Sequence, residues 1–286
     1  MYQLIIFGLI YGGLLSLTAL SITMIYGISR VPNFAMGHLS ILGGYLLFWF
    51  MNNLGFSTYL AIGSSFAILI LVGLPMERIL TPLRKRGEEG MVAIIFITLS
   101  IGIGIESLIR YLFGGSAISI SYQFKSALSL FGLNFTPVWI MGFTSPFLIL
   151  IFCYFFVTKT LLGKKMRAVS ENETAARLQG IPVIRMYQLS YVLGSIFAGL
   201  GGILWGSMFN LKPHLGLEFT LLGLTIVVVG GIGNIRGSIL AGLILGVGMI
   251  AGSFFFGGVF KFIFSYSVLV VILLVRPSGL LGGRLI

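Results

Sequence analysis

Aspartate does not occur in this chain, cysteine occurs once, histidine twice, and only 9% of the 286 residues are charged. Each scarcity removes a class of chemistry. The single cysteine, Cys153, lies in an apolar run and leaves neither a disulfide framework nor a thiolate metal site. His38 and His214 stand far apart in the sequence without spaced partners, so nucleophilic catalysis and metal-assisted hydrolysis lack their parts. No G-x-x-x-x-G-K-[ST] run is present, and without aspartate there is no Walker-B carboxylate. The chain is not expected to be an enzyme, and any energy from ATP must enter through a partner.

What is abundant is apolar. Hydrophobic residues make up 57% and the mean hydropathy is +1.08, whereas a soluble domain carries roughly 25% charged residues. Runs at residues 4–28, 33–51, 56–76, 91–113, 138–157, 186–209, 219–232, 238–256 and 261–275 read as membrane spans. The shortest, 219–232, gives about 21 Å of helix against a hydrocarbon core of about 30 Å. The expected fold is all-α, a polytopic transmembrane helical bundle of about eight to nine spans forming one domain over residues 1–286. No cleaved signal peptide is expected, because the first apolar run lacks a basic flank and an A-x-A site.

The formal net charge of +11 would suggest a nucleic-acid partner in a soluble protein. Here the cations fall in the breaks between apolar runs, which is the positive-inside pattern, so no nucleic acid is expected. Placing the basic loops 77–90 and 158–185 in the cytoplasm puts 14 of the 18 Lys and Arg residues there, leaving Arg110, Lys125, Lys212 and Lys261 toward the outside. The N-terminus is then outside and the C-terminus inside. Between the first two spans, residues 27–38 (GISRVPNFAMGH) must interrupt a helix, with Pro32 unable to continue one and Asn33 a good N-cap. Such a break either lines a cavity at membrane depth or is a tight surface turn. The outer loop 114–137, with Tyr122, Phe124, Lys125, Phe131 and Asn134, is either a lid, a docking surface or plain cover.

Inside the spans, Glu106 is an intramembrane carboxylate and so a candidate proton or cation site. Arg110 follows it by four residues, which also makes a local structural ion pair. Glu218 suits the N-terminal end of a helix. Asn33, Ser40, Thr98 and Thr225 are candidates for a polar substrate pathway, with backbone hydrogen bonding as the alternative. Forty glycines point to closely packed helices, and Gly242 and Gly246 give a G-x-x-x-G face.

Residues 158–185 form the longest segment that cannot sit in lipid, with six cations and two glutamates. Its centre reads as a short amphipathic helix from Glu171 to Gln179, with Ala175, Ala176 and Leu178 on a small apolar side and Gly180 as C-cap. It is either a knob for a groove in another protein or a helix anchored to anionic lipid by Lys164, Lys165 and Arg167.

Here the pattern G-x-x-x-R-A-x-x-x-N-x-x-x-A-x-x-x-G, carried by Gly163, Arg167, Ala168, Asn172, Ala176 and Gly180, resembles the cytoplasmic coupling loop of branched-chain amino acid permeases of ATP-binding-cassette importers (LivH/LivM type). Residues 24–38, 197–204 (FAGLGGIL), 227–242 (VVVGGIGNIRGSILAG) and 276–282 (RPSGLLG) resemble further family segments in the same order. One departure is visible: the family's NFAHG histidine falls at Met36, and the nearby histidine is His38. The short chain resembles the LivH-like subunit more than its partner. The resemblance implies a permease subunit importing branched-chain amino acids or related small amino acids or amides. It also implies a second permease subunit in a heterodimer, two cytoplasmic ATP-binding subunits and an extracellular substrate-binding protein. ATP and magnesium would be used by the partners, with no cofactor in this chain. Gly163, Arg167, Ala168, Glu171, Asn172, Ala175, Ala176 and Gly180 would be the ATPase contact. The alternatives are an ion-coupled secondary transporter or channel using Glu106, and a membrane scaffold that moves nothing.

Overall fold

An apolar run inside a bilayer can satisfy its backbone only internally, which forces it into helix. The computed structural model describes residues 2–120, 128–130, 133–135 and 137–282. The helices are α1 (Tyr2–Ser29), α2 (Met36–Asn52), α3 (Thr58–Leu83), α4 (Gly87–Phe113), α5 (Pro137–Lys159), α6 (Leu161–Glu171), α7 (Glu173–Leu178), α8 (Val183–Met208), α9 (Leu215–Gly230), α10 (Ile235–Phe256) and α11 (Phe260–Val275). A 3-10 turn, Arg84–Arg86, joins α3 to α4, and a small antiparallel hairpin pairs β1 (Leu128–Leu130) with β2 (Leu133–Phe135). The outer-loop residues Tyr122, Phe124, Lys125 and Phe131 and the C-terminal Arg284 lie outside the described residues.

Among the described residues, five stretches are long and apolar enough to cross a membrane, one of them holding both α3 and α4; α9 and α11 are apolar but shorter. Burial ranks them. The most apolar windows of α1 and α8 are 78% and 72% buried, against 28% for those of α5 and α10, so α1 and α8 lie deepest, while α5 and α10 each keep an outward face. α1 packs on α8 and α10, and α2 on α8 and α9.

The centre closes through glycine. A Cβ on Gly43 of α2 would sit 2.6 Å from Gly199 Cα of α8. Gly242 and Gly246 of α10 meet Gly12 of α1 just as closely, so the G-x-x-x-G face is a helix contact.

The expected break lies at residues 30–35. α1 ends at Ser29, and Arg30 after it holds a left-handed φ of 56°, the one non-glycine residue with positive φ among those described. α2 starts later than the sequence suggests, with Ala35 rather than Asn33 at its N-cap position. Asn33 instead turns inward, and its Oδ1 accepts a hydrogen bond from Ala35 N (2.9 Å). A second break precedes α9, where Ile118 and Leu211 form an isolated bridge and the helix begins at Leu215. The starts of α2 and α9 meet: Gly37 N donates to Thr220 Oγ1 (3.2 Å), which donates to Phe34 O (3.0 Å).

At one end of the bundle the breaks gather. Arg30 reaches Ser170 O, Arg84 reaches Ser29 O, Gly233 lies against Gly27, and the C-terminal Leu280 and Leu281 donate to Val229 O and Gly230 O. This is the end that carries the basic loops. At the other end the segments after α4 and α8 pair through Ile118 and Leu211.

Candidate functional site

The elbow between α5 and α8 is built residue by residue from its sequence pattern. Thr160 caps α6, its Oγ1 accepting from Gly163 N (3.0 Å). Gly163 turns the chain hard against α5, since a Cβ there would strike the carbonyls of Phe156 and Val157. Arg167 Nη2 donates back to Thr158 O (3.1 Å). Asn172 ends α6 and caps α7, accepting from Ala175 N (3.0 Å). Gly180 takes φ of 76°, and Ile181 N closes the turn on Ala176 O (3.0 Å).

The helix expected over 171–179 is α7, which starts only at Glu173 because Asn172 is extended (φ −151°, ψ 102°), and α6 stands before it where the sequence suggests none. The apolar side also divides. Ala176 is buried (2% exposed), together with Gly163, Met166 and Val169, whereas Ala175 faces out and Leu178 is 85% exposed. Glu171 is exposed as well, and Ala168 half-buried. The motif residues Gly163, Arg167, Asn172, Ala176 and Gly180 shape the elbow, while Glu171, Ala175 and Leu178 between them lie on its outer surface.

The elbow is fastened to the bundle by charge. Arg84 Nη2 donates to Glu173 Oε2 (2.5 Å), and Arg177 Nη2, one turn along α7, donates to Glu173 Oε1 (2.8 Å). Burial would raise the Glu173 carboxyl, but hydrogen bonds from Tyr187, Arg177 and Arg84 outweigh it and hold it below the ordinary carboxylate range. Arg84, Glu173 and Tyr187 escaped the sequence reading. The Glu173–Arg177 spacing was visible, but contacts between separate helices leave no periodic signal.

The predicted pathway residues do not converge. Ser40, Thr98 and Thr225 are buried and bond their own helices, Ser40 Oγ to Met36 O (3.2 Å), Thr98 Oγ1 to Ile94 O (2.9 Å) and Thr225 Oγ1 to Leu221 O (2.9 Å). Ser40 also meets Thr18 Oγ1 (3.1 Å). Asn33 is 1% exposed, near the α2–α9 junction. Glu106 takes the expected pair with Arg110 (2.6 Å) and adds an unexpected partner, with its Oε2 3.6 Å from His38 Nε2. The expectation that the histidines lack partners fails for His38, because α4 supplies one from far along the chain. Glu218 begins α9 and accepts from Lys261 Nζ (2.9 Å). Among the described residues no group of three or more His, Cys, Asp or Glu gathers in a way that could hold a metal.

A multi-pass helical bundle with interrupted helices and a fastened elbow at its basic end defines a membrane transport architecture. The family model described as "Branched-chain amino acid transport system / permease component" matches residues 4–275, and the chain belongs to that family. It is 28% identical over 290 residues to the high-affinity branched-chain amino acid transport system permease protein LivH of Salmonella typhimurium, covering 96% of this chain and 93% of that one. Identity is 29% to the corresponding permease protein BraD of Pseudomonas aeruginosa, over 98% of this chain and 95% of that protein. It is 31% to a probable LivH of Methanocaldococcus jannaschii, over 96% and 90%. In fold, the structure is similar to PsaBC from Streptococcus pneumoniae in complex with Fab, with a TM-score of 0.51 at 15% identity over 96% of this chain and 92% of that chain.

Proposed function

We infer that the chain is a permease subunit of an ATP-binding-cassette importer for branched-chain amino acids or related small amino acids or amides. It supplies half of the translocation pathway, beside a second permease subunit. An extracellular binding protein delivers substrate, and two cytoplasmic subunits bind ATP and magnesium. The basic end, with residues 158–185, faces the cytoplasm, and the N-terminus lies outside.

The observation that carries this reading is the elbow. Most of its motif residues are spent on shape, and the shape presents Leu178 and Ala175 outward on a short helix that its neighbours hold in place. An exposed apolar side chain on a rigid projection suits a groove in a partner. An ATPase that binds the elbow differently in its open and closed states would shift the permease between two arrangements, which is all that coupling requires. Membership of the permease family favours this over a gradient-driven carrier using Glu106.

The test is Leu178→Glu in the transporter assembled with its partners. ATPase co-purification and ATP-driven uptake of radiolabelled leucine into proteoliposomes should fall at least tenfold, while the isolated subunit keeps its melting temperature. Uptake at the wild-type rate sinks the reading.

A further inference from the structure

Arg84 stands on the turn between α3 and α4, outside the elbow, yet one guanidinium there joins four parts of the molecule. Its Nη1 donates to Ser29 O at the end of α1 (2.6 Å). Its Nη2 donates to Glu173 Oε2 of α7 (2.5 Å) and to Tyr187 OH of α8 (3.1 Å), and its Cζ lies 5.3 Å from the Tyr187 ring centroid. A planar fork with several fixed donors can make all these bonds at once. The side chains are half-buried, 18% exposed for Arg84 and 29% for Glu173, so the pair is less screened by solvent than a surface pair.

About 28 Å further along α4, at 1.5 Å per residue, a second polar tie appears. There Glu106 meets His38 on α2, whose ring is wedged between Gly102 of α4 and Gly216 of α9. A Cβ on Gly102 would lie 2.6 Å from His38 Nδ1, so ring and helix are in direct contact. His38 sits one residue beyond Gly37, where the starts of α2 and α9 meet. Between the two ties α4 is held lightly. Its buried residues, Gly90, Ile94, Thr98, Gly102, Ile105 and Ile109, form one narrow stripe, and Phe96 and Ile103 on its other side are 65% and 62% exposed.

We propose that α4 is a lever that carries movement of the elbow to the α2–α9 junction, and that the Arg84–Glu173 contact is where the movement enters. Both residues act by position and touch no substrate. The proposal rests on the elbow being the ATPase contact. A helix tied at its ends and gliding on one stripe transmits displacement without repacking the core, whereas the glycine-closed centre of α1, α2, α8 and α10 has no slack to do so.

The experiment is a double-mutant cycle in the assembled transporter, with Arg84→Gln, Glu173→Gln and both together. It reads leucine taken up per ATP hydrolysed, ATPase co-purification and melting temperature. Each single change should lower uptake per ATP about tenfold with the ATPase still bound and hydrolysing. The double change should fall well short of the product of the singles and stay close to the worse of them, because the Arg84–Glu173 contact is already lost in each single. Should Arg84→Gln fail to accumulate, Arg84→Lys takes its place, keeping the charge and losing the fork. Unchanged uptake per ATP in the singles, or losses that multiply to about a hundredfold in the double, overturns the lever alone. Wild-type behaviour of Leu178→Glu overturns the elbow reading and the lever with it.

Discussion

In the centre of the bundle Gly43 faces Gly199 so closely that a Cβ would lie 2.6 Å from the opposite Cα; in the elbow, Gly180 has nothing within 4 Å of where its Cβ would be. The first region is held by backbone against backbone, the second by caps and ion pairs around open space. A dry contact between helices tolerates no added volume, because nothing on either side can move away. A projection held by Asn172, Arg84 and Arg177 keeps its shape while its outer surface stays free to change. The contrast divides the chain into a part that has no room to deform and a part whose outer face is open, as the proposed docking role requires.

Substitution at the two kinds of site should show opposite outcomes. The largest effect is expected at the centre, where Gly43→Leu forces α2 from α8 and costs about 3 kcal/mol or more. The measurement is the yield and melting temperature of purified subunit, and a variant that folds normally would remove the close-packed reading of the centre. Next comes a pair of neighbours. Ala176→Trp pushes a large ring into the buried side of the elbow and should cost about 2 kcal/mol, while Ala175→Trp, on the outside, should leave melting unchanged and weaken ATPase binding. Equal destabilisation by both would mean that α7 has no distinct inner and outer side. The smallest effect is electrostatic. The Glu173 carboxyl is held below its ordinary value, so its contribution to stability is fully present above about pH 4.3, the ordinary glutamate value, and is lost as pH falls through the lowered folded value. The difference in denaturant midpoint between wild type and Glu173→Gln should be full at pH 7 and vanish in acid. A difference that persists in acid would separate the effect from the carboxylate charge.

Much of this was legible in one dimension. The apolar runs name the helices, since a bilayer leaves an apolar segment no other way to satisfy its backbone. Gly180 reads as a C-cap because a left-handed turn is local chemistry, and the pattern of Gly163, Arg167, Asn172, Ala176 and Gly180 points to the elbow through its resemblance to the family's loop. The reading faltered where locality ended. The expected apolar side of the elbow divides, Ala176 turning inward while Leu178 turns out, whereas the span hydroxyls take the backbone bonds that the sequence offered as one of their two readings.

By itself, then, the sequence determined the class of fold and the end at which charge collects, because hydropathy and charge are read along the chain, and its ordered motifs carried the resemblance that named the family. Only the tertiary structure decided that Arg84 grips Glu173 across 89 residues and that Glu106 faces His38. Those partners are brought together by helix packing. Packing depends on shape across many residues at once, and no periodicity records it.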